Sequence, residues 1–206
     1  IVDAEETAIY VSTDGDDAYD GTTWASAKKT IQAGVDAQIY AGGFVRLRNG
    51  TYSLTATITV SKPVRIVGVD GPESTIVDGQ GIVGCFNLGN TACVIEGLTI
   101  TNGYSFNDGG GIYCSGNVPV VTNCTITGNT ANWDGGGMVY GTANNCTISG
   151  NSAEYGGGMY YGTANNCIVW YNTAPSGKDL SGTTASYSCS PDVTHGSNGN
   201  ITNAPM

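Results

Sequence analysis

The segment "GGGMVYGTANNCTISGNSAEYGGGMYYGTANNC" begins at Gly135, and its second half restates its first after 21 residues. A chain that copies itself this closely stacks like units on one another, because no single copy can bury its apolar face alone. Aligning the glycine triplets at 109–111, 135–137 and 156–158 gives a period of 21 to 26 residues. Cys124, Cys146 and Cys167 then share a column, and Ile100, Ile126, Ile148 and Val169 share another two positions on. Side chains two apart on a strand face the same way, so these columns point together and Thr99, Thr125, Thr147 and Ile168 point oppositely. Asn102, Asn129, Asn151 and Asn172 follow as a third column, where stacked amides can bond both a corner and their own copies one coil away. The expectation is an asparagine ladder.

Leucine-rich repeats have similar periods but need several leucines per unit, and the two clearest units here contain none. Small β-branched residues, glycine corners and ladder asparagines point instead to an all-β solenoid, a parallel β-helix of about 21–26 residues per coil. Short runs such as "TITV", "VRIVGV" and "STIVDG" extend the pattern towards the amino terminus. The expected organisation is a cap over residues 1–52, roughly seven coils over 53–190 and a tail over 191–206. Ala27, Ile31, Val35 and Ile39 recur every four residues in the cap, which predicts an amphipathic helix with Thr23 as N-cap and Gly42 near its end. The tail offers neither an amphipathic helix nor a charged run. An uncovered last coil would be a template for another strand, so the chain is expected to associate with itself end to end, or else to continue past Met206.

Composition narrows the function. Seven basic residues stand against 17 acidic ones, a formal charge of −10 that argues against nucleic acid as a partner. No stretch has the length of a membrane span, which argues against membrane insertion. Seven cysteines without a CxxC pair give little support for a zinc or redox site. Cys85 and Cys93 are the more suitable disulfide partners, since side chains stacked in parallel in the column of Cys124, Cys146 and Cys167 make poor disulfide geometry.

The opening "IYVSTDGDDAYDGTTWASAKKTIQAGVDA" and the following "NGTY" and "ITVSKPVRIVGVDGPESTIVDG" resemble the right-handed parallel β-helix, pectin-lyase-like family of secreted bacterial proteins. The resemblance covers essentially the whole chain and implies an extracellular or cell-surface location. It also implies a choice of functions, because such rods carry polysaccharide lyases and hydrolases as well as adhesive and structural proteins. Pectate lyases hold calcium between aspartates and an acidic substrate and use an arginine or lysine as base.

Candidate chemistry is sparse. Asp14, Asp16, Asp17 and Asp20 crowd one turn and are calcium candidates, although Ala18 and Ala27 stand where an EF-hand loop needs ligands. Asp108 and Asp134 precede glycine triplets and are the catalytic candidates, two carboxylates that adjacent coils can bring within reach of one glycosidic bond. No arginine or lysine is expected in the repeats beside that acidic edge, so a lyase-type base is missing from it. Trp133, Tyr155 and Tyr160 crowd the same triplets and are candidates for stacking on sugar rings. No cofactor other than calcium is implied. The repeated text is all scaffold, which favours a non-enzymatic structural or adhesive rod. The alternative is an enzyme acting on a polysaccharide, and the expected partners are accordingly a second copy of the chain or a glycan.

Overall fold

A computed structural model describes residues 8–89 and 92–205. The chain winds as a right-handed parallel β-helix with three long sheets running along one rod, and Tyr104–Ser105 pairs with Thr130–Ala131 as a fourth, two-stranded sheet. The first sheet takes Ile9–Val11, Gly43–Leu47, Val64–Gly68, Val94–Glu96, Val120–Thr122, Thr142–Asn144, Thr163–Asn165 and Thr184–Ser186. The second takes Gly50–Ser53, Thr75–Asp78, Thr99–Thr101, Thr125–Thr127, Thr147–Ser149 and Ile168–Trp170. The third takes Ile58–Val60, Phe86–Leu88, Ile112–Cys114, Met138–Val139, Met159–Tyr160 and Leu180–Ser181. The second and third sheets have six strands each, so the described rod has six coils where about seven were expected, and the coils begin at Gly43 rather than at residue 53.

In-register pairing explains why the columns of the sequence are columns of the core. Ile100, Ile126, Ile148 and Val169 sit opposite one another in successive strands and are fully buried. Cys124, Cys146 and Cys167 stack beside them, each thiol donating to the carbonyl two residues earlier at 3.2 Å. Ser188 and then Asn200 continue that column with polar groups: the Cys167 N–H donates to Ser188 Oγ, and the Ser188 N–H donates to Asn200 Oδ1. The triplets are glycine because coils touch there. A Cβ on Gly110 or Gly136 would lie 2.3 Å from a backbone oxygen of the next coil, closer than any side chain can sit.

The ladder is present but begins one coil later than the sequence suggested. Asn129 donates its N–H and Nδ2 to Asn151 Oδ1, and Asn151 donates the same pair to Asn172 Oδ1. Both Asn151 and Asn172 also donate Nδ2 to an isoleucine carbonyl at 2.9 Å. Asn102 is not a rung. It is exposed at φ 51°, in the left-handed corner that Gly128 and Gly150 occupy in the following coils, and Gly103 stands at the ladder position. The Gly103 N–H donates to Asn129 Oδ1 and starts the ladder from the backbone.

Both ends depart from expectation. The cap helix α1 is only Ile31–Ala37, and its N-cap is Thr30, whose hydroxyl accepts from the Ala33 N–H. Thr23 caps a separate 3-10 turn, Trp24–Ser26. Ile31 and Val35 are buried against the first coil, as is Ala27, whereas Ile39 lies past the helix and is 80% exposed. At the other end the tail folds back over the last coil. The Ser190 N–H donates to the Ile201 carbonyl, the Ile201 N–H to the Ser188 carbonyl, and Asp192 Oδ2 accepts from the N–H groups of Asp179 and Leu180. Some of the backbone groups expected to template a neighbouring strand are thus taken by the tail. Residues 1–7 and Met206 lie outside the described residues. No helix among the described residues is long and apolar enough to cross a membrane.

All seven cysteines are free thiols, so the expected Cys85–Cys93 bridge is absent. Each of the two precedes a strand of a different sheet and is buried in the core. The Cys85 thiol donates to the Thr101 carbonyl, and burial pushes it up to about 12 and Cys93 up to about 11.

Two outcomes follow from this packing. Asn151→Ala strands the Asn129 N–H inside the rod and removes the Nδ2 donor from the Ile126 carbonyl, and is expected to cost about 2–3 kcal/mol, whereas Thr147→Ala on the outer face costs about 0.5 kcal/mol or less. Chemical denaturation of the two variants beside the parent measures the difference. A thiol reagent should modify none of Cys124, Cys146 and Cys167 until denaturant is added, because burial shields all three from the reagent. Mass spectrometry of the labelled native protein checks it.

Candidate functional site

The third sheet carries a groove whose lining includes Asp108 and Trp133. Its outward column runs Thr59, Asn87, Tyr113, Val139, Tyr160 and Ser181, in register along the rod. The corner before each strand carries a second column, in which Asp108, Asp134, Tyr155 and Ser176 follow one another. The Gly109 N–H donates to the Asp134 carbonyl, and bridges link Asp134 to Tyr155 and Tyr155 to Ser176. Asp108 and Asp134 are therefore one coil apart, and the Asp134 N–H donates to Asp108 Oδ1 at 3.3 Å.

A groove of ≈ 740 Å³ lies on the cap side of this pair, with Asn87, Asp108 and Tyr113 facing it. Its rim is apolar and aromatic: Phe106 is 75% exposed and stands edge-on to Tyr104 at 6.3 Å, and Trp133 is 59% exposed. Trp133 thus lines the groove with Asp108. Tyr155 and Tyr160 lie one coil beyond Asp134 and extend the same edge instead of lining the groove. Asn87, Tyr104 and Phe106 escaped the sequence reading because residue identity is not kept along their columns, although Asn87 and Tyr104 pair in register with the next coil.

Electrostatics marks the second of the two carboxyls. Partial burial, and then the neighbouring Asp108 charge, hold the Asp134 carboxyl above the usual carboxylate range. Tyr160 is also raised, by burial first and by Asp134 next, which places its phenol within the field of the acidic pair. One lysine follows in the glycine column, two coils beyond Asp134. Lys178 occupies the column of the middle triplet glycines, in the coil after Gly157, and is exposed.

The four amino-terminal aspartates serve the cap. Asp17 accepts from the N–H groups of Lys29 and Thr30 and from the Thr30 hydroxyl. Slight burial raises its carboxyl, but these bonds and the Lys28 charge outweigh it and leave it lowered. Asp20 Oδ1 accepts from the Thr22 N–H and from the hydroxyls of Thr22 and Ser26, and Asp16 Oδ1 accepts from the Ala18 N–H. The Asp14 N–H donates to Ser12 Oγ. A calcium site takes six to eight oxygens, and among the described residues no three His, Cys, Asp or Glu side chains converge. Neither this turn nor the Asp108–Asp134 pair fits such an ion.

No family model matches the chain. Pectate lyase PEL9 of Emericella nidulans is 40% identical over 82 residues, a stretch that is 37% of this chain and 19% of that protein. Among solved structures, pectate lyase Pel9A superposes with a TM-score of 0.65 at 17% identity, covering 88% of this chain and 53% of that one. The Escherichia coli protein YbhC superposes with a TM-score of 0.56 at 15% identity, covering 87% and 63%. These likenesses establish the fold as the parallel β-helix found in pectate lyase Pel9A. The chain spans only about half the length of that structure and a fifth of the curated relative.

The raised Asp134 carboxyl makes a stability prediction whose sign is fixed. A carboxyl raised in the folded state is penalised when it ionises, so its contribution is intact below the ordinary unfolded value of about 4 and is lost as pH rises through the folded value. Asp134→Asn should therefore raise Tm at pH 7 and leave it unchanged at pH 3. Thermal melts across that range measure the crossover.

Proposed function

We propose that this chain acts on a polysaccharide, with the groove as its binding surface and Asp108 and Asp134 as its proton-transfer pair. The observation that carries the reading is the pair itself: two carboxyls one coil apart, one pushed up by its surroundings, at the end of an aromatic-rimmed groove. Groups whose environments push their proton affinities apart are suited to opposite roles, one to give a proton and one to take it. Asp134 holds its proton to higher pH and serves as the acid at the departing glycosidic oxygen. Asp108 is the base.

Elimination and hydrolysis ask for the same pair. In elimination the base removes the proton beside a uronate carboxyl and the acid protonates the leaving oxygen; in hydrolysis the base deprotonates water instead. The likeness to two pectate lyases favours elimination on an acidic glycan. Lys178, two coils or roughly 10 Å beyond Asp134, supplies positive charge for the carboxylate of a neighbouring sugar. On this reading the chain works where such polymers are, outside the cell.

The experiment is a panel of polygalacturonate and neutral glycans, with and without calcium, followed by absorbance of unsaturated product and by reducing ends. Turnover is expected, with Asp134→Asn and Asp108→Asn each lowering kcat at least about 100-fold and Trp133→Ala acting mainly on KM. Tight glycan binding without turnover would restore the reading as a non-enzymatic rod.

A further inference from the structure

A second cavity, of ≈ 420 Å³, lies beneath the cap between α1 and the turn that joins Gly50–Ser53 to Ile58–Val60. Its volume falls within the range of small-molecule sites, about 300–1,000 Å³. Its lining is chemically unlike the groove's. One ammonium, Lys29, is joined by the hydroxyls of Thr13, Thr51, Ser53, Thr55 and Thr57. None of these six side chains makes a hydrogen bond or ion pair with another described residue. Asp17, the carboxylate beside Lys29 in the fold, is turned to the backbone N–H groups of Lys29 and Thr30 and to the Thr30 hydroxyl. Ile31, Leu54 and Ile58 provide an apolar floor.

We infer that this cavity is a binding site, separate from the groove, for a small polyhydroxylated anion, a sugar acid or a sugar phosphate. Hydroxyl groups exchange bonds with the five free hydroxyls, the C–H face of a sugar ring lies on the apolar floor, and the anionic group meets Lys29. The charge argument is specific. A protein of formal charge −10 repels anions in general, so an anion settles only where a fixed cation stands free of its own carboxylates. Among the residues lining the two cavities, Lys29 alone carries positive charge. A neutral sugar would use the hydroxyls and the floor but leave the ammonium without a partner.

Titration calorimetry of the full chain with galacturonate, glucose 6-phosphate and glucose tests the inference. Both anions should bind at least tenfold more tightly than glucose, and Lys29→Gln should erase that preference, since it removes the charge and leaves the backbone bond to Asp17 intact. Ala56→Trp, which fills the cavity from its turn, should abolish binding of glucose 6-phosphate. Trp133→Ala in the groove should leave the affinity for glucose 6-phosphate unchanged. Tighter binding of galacturonate assigns a carboxylate ligand, and tighter binding of glucose 6-phosphate assigns a phosphate. Equal affinity for glucose and the anions, a preference that survives Lys29→Gln, glucose 6-phosphate binding that survives Ala56→Trp, or no binding of any probe at millimolar concentration overturns the inference. Loss of glucose 6-phosphate affinity in Trp133→Ala would also overturn it, by making the two cavities one site. None of these results depends on turnover of a polysaccharide in the groove.

Discussion

Hydrogen bonds that run along the rod, from each coil to its copy, hold the corners on which everything outside the core is mounted. At the ladder corner each amide group has one fixed set of partners. Oδ1 accepts from the coil before, Nδ2 donates to the coil after, and Nδ2 also ties an inward carbonyl. Such a chain of amides must end without stranding a donor. It starts from the Gly103 N–H and stops at Asp179, whose Oδ1 accepts both the N–H and Nδ2 of Asn172. A carboxylate accepts and has nothing left to donate, whereas an asparagine there would need a further partner for its own Nδ2. Burial raises the Asp179 carboxyl, while the bonds from Asn172 pull the other way.

A corner fixed in this manner fixes its neighbours. The turn that follows Asn129 leads to Asp134, and the turn that follows Asn151 leads to Tyr155, so the outward edge is registered coil by coil with the ladder. The acidic pair owes its closeness to that registration. Asp108 and Asp134 come from different coils and yet share a hydrogen bond, because successive coils are one strand spacing apart. Their repulsion costs stability, which a rod with a fully buried core of stacked aliphatic side chains can sustain.

How much of this was legible in the sequence depends on how many constraints met at a residue. The inward Cys and Ile columns were readable because strand alternation and the coil period both demanded small apolar residues there, and Cys124 and Ile126 satisfy both. Asn102 was misplaced by one residue because identity alone aligned it. Aligned on Ile100 instead, the ladder position falls on Gly103, and Asn102 falls on a left-handed corner that asparagine also tolerates. The helix start was misread for a similar reason: Thr23 and Thr30 both cap, but only Thr30 has the N–H groups at 29–30 tied down by Asp17. Of the candidate site, the sequence held Asp108, Asp134 and Trp133. Asn87 and Phe106 reach the groove from columns in which residue identity is not kept, so an alignment by identity does not find them.

Where the columns are uniform they build the rod, and where they break they build the edge that can recognise a ligand. The corner column reads Asp108, Asp134, Tyr155, Ser176, and the outward column beside it reads Tyr113, Val139, Tyr160, Ser181. Neither is a ladder, and each change of residue type falls at a position free of the core's demand for a fixed volume. Lys178 is the sharpest of these departures. Gly136 and Gly157 are confined to glycine by the coil that follows each of them, but in the last coil the chain carries a lysine at that position. A side chain becomes possible in the glycine column where the next coil no longer crowds the corner, so the last described coil is where that column carries a lysine.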